Sequence, residues 1–125
     1  MAYSKEVLKH FTHPKYFGKI KNADSVGKVG NPACGDVMEL YLKIDPKTKK
    51  IKDVKFHTTG CAAAIASSDM ACEVIKGKTI EKALKISYKD IVKGLGELPP
   101  VKVHCSVLAT QALKAAIENY NKKGL

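Results

Sequence analysis

Residues 36–44 read Asp36-Val37-Met38-Glu39-Leu40-Tyr41-Leu42-Lys43-Ile44, and residues 51–62 read Ile51-Lys52-Asp53-Val54-Lys55-Phe56-His57-Thr58-Thr59-Gly60-Cys61-Ala62. Between them lies Asp45-Pro46-Lys47-Thr48-Lys49-Lys50. In the first run Met38, Leu40, Leu42 and Ile44 alternate with Glu39, Tyr41 and Lys43, the period of a half-buried strand. In the second, Val54, Phe56 and Thr58 take one side and Lys55 and His57 the other. The intervening Asp-Pro-Lys-Thr is turn chemistry, so the two strands form an antiparallel hairpin. At Gly60 the period changes, and from Cys61 to Lys76 the chain is rich in Ala with Ile65, Met70, Val74 and Ile75, which reads as a helix closed by Gly77.

The rest falls into place around this hairpin-to-helix switch. Upstream, Val26–Gly30 adds an edge strand. Ser4 caps a helix over residues 4–11, with Val7, Leu8 and Phe11 expected on its inner face, and Pro14 and Gly18 end it. Downstream, Thr79–Lys85 is a short helix. Ser87 and Asp90 form a capping box for another, ending near Gly94 or Gly96. Leu98-Pro99-Pro100 must leave the helical region, because a residue before proline is pushed out of it. A last long helix covers about Lys102 to Asn121, with Val103, Val107, Leu108, Ala112, Leu113, Ala116 and Ile117 inward. The expected fold is α+β: a small antiparallel sheet of about three strands packed against helices, in one domain over residues 1–125.

Composition narrows the class. The chain has 125 residues, 45% hydrophobic and 27% charged, enough to bury a core without disulfides. No apolar run approaches the roughly 20 residues that span a bilayer. Met1–Glu6 shows no basic-then-apolar export pattern, so a cytoplasmic protein with reduced thiols is expected. The formal charge is +10, and all 22 basic residues are Lys with no Arg. Bidentate reading of guanine and phosphate favours Arg, so nucleic acid is disfavoured as a partner. A solvated lysine surface or an acidic protein partner fits better.

In a reducing compartment, widely spaced cysteines point to metal or catalysis rather than a disulfide frame. Cys34 ends a loop before the hairpin, Cys61 sits where a strand hands over to a helix, and Cys105 sits in the first turn of the last helix. Helix N-termini favour the thiolate that binds metal or attacks sulfur. The bland alternative is three unrelated buried thiols acting as small hydrophobes. Cys34 and Asp36 lie two apart in extended chain and share a face, though Asp36 could equally cap a loop. His104 precedes Cys105, and neighbours on a helix diverge by about 100°, so both reach one centre only if His104 lies outside the regular helix. Cys72, about 16 Å along the helix from Cys61, is expected to be a packed thiol. His10, His13 and His57 lack partners at ligand spacing and are expected at the surface or in packing. C-x₂-C pairs and ferredoxin-type cysteine runs are absent, so the fold must gather the ligands. The small neighbours Ala33, Gly35, Gly60, Ala62 and Ala63 fit an open site, and equally fit tight helix packing.

Pro32-Ala33-Cys34-Gly35-Asp36, Gly60-Cys61, Ala64-Ile65-Ala66-Ser67-Ser68, Lys76-Gly77-Lys78 and Leu98-Pro99-Pro100-Val101-Lys102-Val103-His104-Cys105-Ser106 together resemble the IscU family, equivalent to the N-terminal domain of NifU, over nearly the whole chain. The resemblance implies a scaffold for iron–sulfur cluster assembly, not an enzyme. It would take sulfur from a cysteine desulfurase together with iron (Fe2+), build a 2Fe-2S cluster, extend it to 4Fe-4S between two protomers, and pass it to apo-proteins. A homodimer would form when the cluster is loaded. Carried onto this chain, Cys34, Cys61 and Cys105 would be the cluster ligands, with Asp36 or His104 completing the coordination. Cys105 would accept a persulfide, with Lys102 steadying it. Leu98, Pro99, Pro100, Val101 and Lys102 would be the stretch read by a heat-shock-type chaperone. The competing resemblance is to SufU, a Zn2+-binding sulfurtransferase partner of the desulfurase. His104 and the short Cys61–Cys105 interval side with IscU.

Overall fold

The computed structural model describes residues 4–31, 36–59, 61–96, 98 and 103–123, apart from the side chains of Asn31, Asp36 and Lys123. Cys34, Gly60, Pro99, Pro100, Val101 and Lys102, all named above, lie outside the described residues. The elements run α1 (Lys5–Thr12), β1 (Ser25–Asn31), β2 (Asp36–Ile44), β3 (Ile51–Thr58), α2 (Ala62–Ile75), α3 (Ile80–Leu84), α4 (Tyr88–Gly94) and α5 (Val103–Lys123). The strands form one antiparallel sheet in the order β1-β2-β3. The expected α+β architecture with a long C-terminal helix is what the chain adopts.

The alternating pattern decides which face of the sheet is covered. Met38, Leu40, Leu42 and Ile44 of β2 and Val54, Phe56 and Thr58 of β3 all turn inward and are buried. Phe56 is fully enclosed, a burial worth about 2–3 kcal/mol. Helix α5 lies mainly on β1, and α2 packs between α5, β3 and α1. The hairpin turn is held by Asp45, whose Oδ1 accepts the Lys47 N–H at 2.8 Å and the Thr48 N–H at 3.4 Å. Those donors keep the Asp45 carboxyl below its ordinary value.

Helix α5 can approach β1 because residue 27 is glycine. A Cβ there would stand 2.1 Å from the Ala112 carbonyl oxygen and 2.4 Å from the Ala116 nitrogen. Ser25 Oγ donates to the Ala116 carbonyl, and Asn119 Nδ2 donates to the Val26 carbonyl at 2.8 Å. These bonds flank the contact and set how α5 sits on the sheet. At the other end of α2, Gly77 has φ of 86° and donates its N–H to the Ile51 carbonyl at 2.8 Å. The left-handed residue that closes the helix thus also ties it to the start of β3.

The outer edge of β3 is covered piecemeal, as an unpaired edge would invite association. Phe56 donates to the Tyr16 carbonyl and accepts from the Gly18 N–H, each at 2.8 Å. The Val54 N–H goes to Asp53 Oδ1 at 2.9 Å, and the Ile51 N–H to the Lys78 carbonyl at 2.8 Å.

Helix α1 departs from expectation. Its buried residues are Val7 and His10, while Leu8 is 47% and Phe11 38% exposed. Polar pairing overrides apolar periodicity here: His10 Nδ1 meets Asp69 Oδ2 at 2.5 Å, with both side chains buried. An unpaired Asp69 in the apolar α2 would be costly, so the helix turns its histidine inward. His10 thus takes the packing role expected of it, paired with a carboxylate 59 residues away.

Ser68 Oγ is buried and meets no hydrogen-bond partner among the described residues. Ser68→Ala removes that desolvated hydroxyl and improves helix propensity, so it should stabilise the fold by about 1 kcal/mol. Urea unfolding checks this; a destabilised variant would mean that the hydroxyl is satisfied.

Candidate metal centre

The hairpin brings its open end to the starts of two helices. Met38 pairs with Thr58, and the Val37 carbonyl accepts both Thr58 Oγ1 at 2.7 Å and the Thr59 N–H at 3.2 Å. The first residue of β2, Asp36, therefore has its backbone beside the chain that leaves β3 for Cys61. Cys61 is the N-cap of α2, extended at φ −77° and ψ −179°. Cys105 is the third residue of α5. The two helices pack together, and Ser67 Oγ and Ser106 Oγ lie 3.2 Å apart in a buried contact between them. Ser106 follows Cys105 directly, so this hydroxyl pair fixes the height of one thiol-bearing helix against the other.

Cys61 Sγ and Cys105 Sγ consequently stand 3.9 Å apart, across 44 residues of sequence. Two sulfurs on one tetrahedral metal at about 2.3 Å each would be separated by about 3.8 Å. The thiol pair thus has the spacing of two ligands on a single centre. His104 Nε2 lies 3.7 Å from Cys105 Sγ; a nitrogen and a sulfur on one such metal would be about 3.5 Å apart. Among the described residues no three of His, Cys, Asp or Glu form a complete metal-holding group. What is placed is two pairs that share Cys105.

One expectation needs correction. His104 does reach the neighbourhood of Cys105, yet it lies inside the helix as its second residue. The first turn has no preceding turn for a side chain to strike, which leaves the imidazole room to swing back over the next residue. Cys61 is partly exposed and Cys105 fully buried. Of the small neighbours, Ala62 is partly exposed and Ala63 fully buried, while Ala33, Gly35 and Gly60 lie outside the described residues.

Cys72 lies outside this group, as expected, fully buried on α2. Burial first, then the Asp69 carboxylate, push its thiol well above the ordinary cysteine value. It should resist iodoacetamide in the native protein, and Cys72→Ser should leave metal loading unchanged. Rapid native alkylation at Cys72, or loss of loading in the serine variant, would contradict this placement. Of the other histidines, His57 sits beside Phe17 and 3.9 Å from Glu39 Oε1, and His13 accompanies Thr12 at 2.9 Å. Neither joins the thiols. Sequence reasoning missed the His10–Asp69 pair and the Ser67–Ser106 contact. One signal was available: Asp69 is the only charged residue between Ala62 and Cys72, in a helix otherwise built of small and apolar groups.

Fold and site together define a small α+β protein that presents thiols from separate helix starts to one metal-sized point. The NifU-like N terminal domain family matches residues 2–125, and the chain belongs to that family. The iron–sulfur cluster assembly scaffold protein IscU 1 of Archaeoglobus fulgidus is 54% identical over 121 residues, covering 97% of this chain and 78% of the relative. The IscU scaffold protein of Haemophilus influenzae is 50% identical over 126 residues, with 98% of each chain covered. Among solved structures, a protein from Fervidobacterium islandicum AW-1 named for cluster assembly in the SUF system superposes with a TM-score of 0.76. It is 31% identical, over 92% of this chain and 96% of its own. The N-terminal part of a NifU-like protein from Brucella abortus, at 19% identity and a TM-score of 0.77, adds likeness of fold alone.

Proposed function

We propose that this protein, as one scaffold domain over residues 1–125, assembles iron–sulfur clusters as cargo and gives them up. The observation that carries the proposal is the 3.9 Å separation of Cys61 and Cys105 at the starts of two packed helices. That spacing suits one tetrahedral iron, and relatives at 54% and 50% identity are named as scaffolds of this kind. Cys34, two residues before β2 in the sequence, supplies the third thiolate. Asp36, on the first residue of that strand, or His104 fills the remaining position. A carboxylate or imidazole in place of a fourth cysteine leaves a weaker bond, which suits a cluster that must depart.

The donor set also accepts zinc, since thiolate, imidazole and carboxylate all bind it. In the assembly role Cys105 takes the persulfide sulfur from a cysteine desulfurase, and Lys102 lies close enough in sequence to steady its charge. Leu98–Lys102 is the stretch that a heat-shock-type chaperone reads. Sulfur release belongs to the desulfurase, so the chain acts as a carrier rather than an enzyme, in a cytoplasm that keeps its thiols reduced. Among the described residues no helix is long and apolar enough to cross a membrane.

Anaerobic reconstitution with iron, cysteine, a desulfurase and a thiol reductant, which supplies the two electrons that turn persulfide sulfur into sulfide, tests the proposal. The expected result is visible charge-transfer absorption, acid-labile sulfide matching the iron, and transfer to an apo-ferredoxin. A protein that stays colourless, retains zinc and only accelerates the desulfurase would be a sulfurtransferase partner instead. Asp36→Ala should lengthen the lifetime of the cluster by removing an oxygen donor; a shorter lifetime assigns Asp36 a holding role.

A further inference from the structure

Asp69 is fully buried, and both of its oxygens are engaged by the same stretch of chain. Oδ2 meets His10 Nδ1 at 2.5 Å, and Oδ1 accepts the Tyr16 N–H at 2.9 Å. The carboxylate therefore grips α1 and the segment after it at two points, six residues apart. Two further seats hold the same stretch. Ser4 Oγ donates to the Leu95 carbonyl at 2.5 Å, at the end of α4. Tyr16 and Gly18 bracket Phe56 on the edge of β3. The apolar contacts between these seats are few: Val7 is buried in the core, Tyr16 packs against it and Phe17 meets the Phe56 ring edge-on at 5.4 Å, while Leu8 and Phe11 are largely exposed.

We propose that residues 4–18 are a strap that opens and closes as a unit, with Asp69 as its buried clasp. The strap lies outside the layers formed by the sheet and α5, so it can leave without dismantling them. An eight-residue helix does not persist alone in water, so α1 unwinds once unseated. Opening bares the N–H and C=O of Phe56 on the edge of β3 and the flank of α2 that carries Asp69 and Cys72. Its first seat, on Leu95, is at the end of α4 on the way to α5, and α2 is the helix capped by Cys61.

The clasp is more than filler. Glu73 Oε2 lies 3.9 Å from His10 Nε2 on the same helix as Asp69, and Lys76 Nζ stands 5.7 Å over the Tyr16 ring. Burial, then Glu73 and Asp69, push the Tyr16 phenol above its ordinary value, so that side chain stays neutral beside the two carboxylates. Removing the charge on Asp69 weakens two of the strap's bonds at once while leaving every contact between α5 and the sheet in place.

Amide hydrogen exchange on the metal-free protein, read residue by residue by NMR, tests the strap independently of what the thiols bind. In the wild type, the amides of His13, Gly18 and Phe56 should exchange at least about 10-fold faster than those of Ala112 and Leu113 in α5. In Asp69→Asn the strap amides should speed up a further ~10- to 100-fold, with α5 unchanged. If Asp69→Asn fails to fold, Ser4→Ala, which removes the outermost seat, should still accelerate strap exchange selectively. Uniform exchange across strap and α5 in the wild type would overturn the proposal, as would a variant that accelerates both regions equally.

Discussion

Gly27→Ala is expected to cost about 3 kcal/mol or more in urea unfolding, a large effect for one methyl group. The new Cβ would fall 2.1 Å from the Ala112 carbonyl oxygen and 2.4 Å from the Ala116 nitrogen. Both obstacles are backbone atoms of α5, so no rotamer change relieves them. Strand and helix would have to separate by about 1 Å to restore van der Waals distance. The bonds from Ser25 to Ala116 and from Asn119 to Val26 span the same contact and would stretch with it. Ala109, Ala112, Leu113 and Ala116, all buried, would lose close packing on the sheet. Gly77→Ala is the matching control, because a Cβ there meets nothing within 4 Å. Its cost is limited to a positive φ, about 1–2 kcal/mol. If both variants lose the same small amount, α5 does not rest on β1 as described.

Cys61→Ala and Cys105→Ala should each abolish cluster build-up and weaken zinc binding by more than about 100-fold, a larger loss than follows from removing a group that only hydrogen-bonds to a ligand. The reason is geometric. With sulfurs 3.9 Å apart, the two thiols have the spacing of adjacent ligands of one metal, and under the proposed function each is needed to hold it. Stability separates the pair. Cys61 is partly exposed at a helix cap, so its loss should cost little when metal is absent. Cys105 is fully buried, so the alanine variant should also lose about 1 kcal/mol from the cavity. Titration with zinc and urea unfolding of the metal-free variants check both halves. Retained zinc affinity in either variant would remove the shared centre and the proposed function with it.

Much of this was legible along the chain because it depended on local periodicity. The hairpin, the helix starting at Cys61, the capping box at Ser87–Asp90 and the packed thiol of Cys72 each follow from neighbours within a few turns. The segments around the cysteines, taken together, also carried the family. The inward face of α1 was not legible, since Leu8 and Phe11 look like core residues until Asp69 claims His10 from across the fold. Nor was the position of His104: spacing on a helix speaks of directions, whereas a terminal turn leaves a long side chain free to depart from them.

Alternating and helical patterns, turn residues and caps are near-neighbour properties, and the sequence by itself determined them: the three strands and five helices of the described residues and the order in which they come. The distance between two sulfurs 44 residues apart, the partner of a buried histidine and the height at which α5 meets β1 depend on how those elements stack. Only the tertiary structure decided these, because they arise where surfaces from remote parts of the chain must fill the same space and satisfy each other's polar groups.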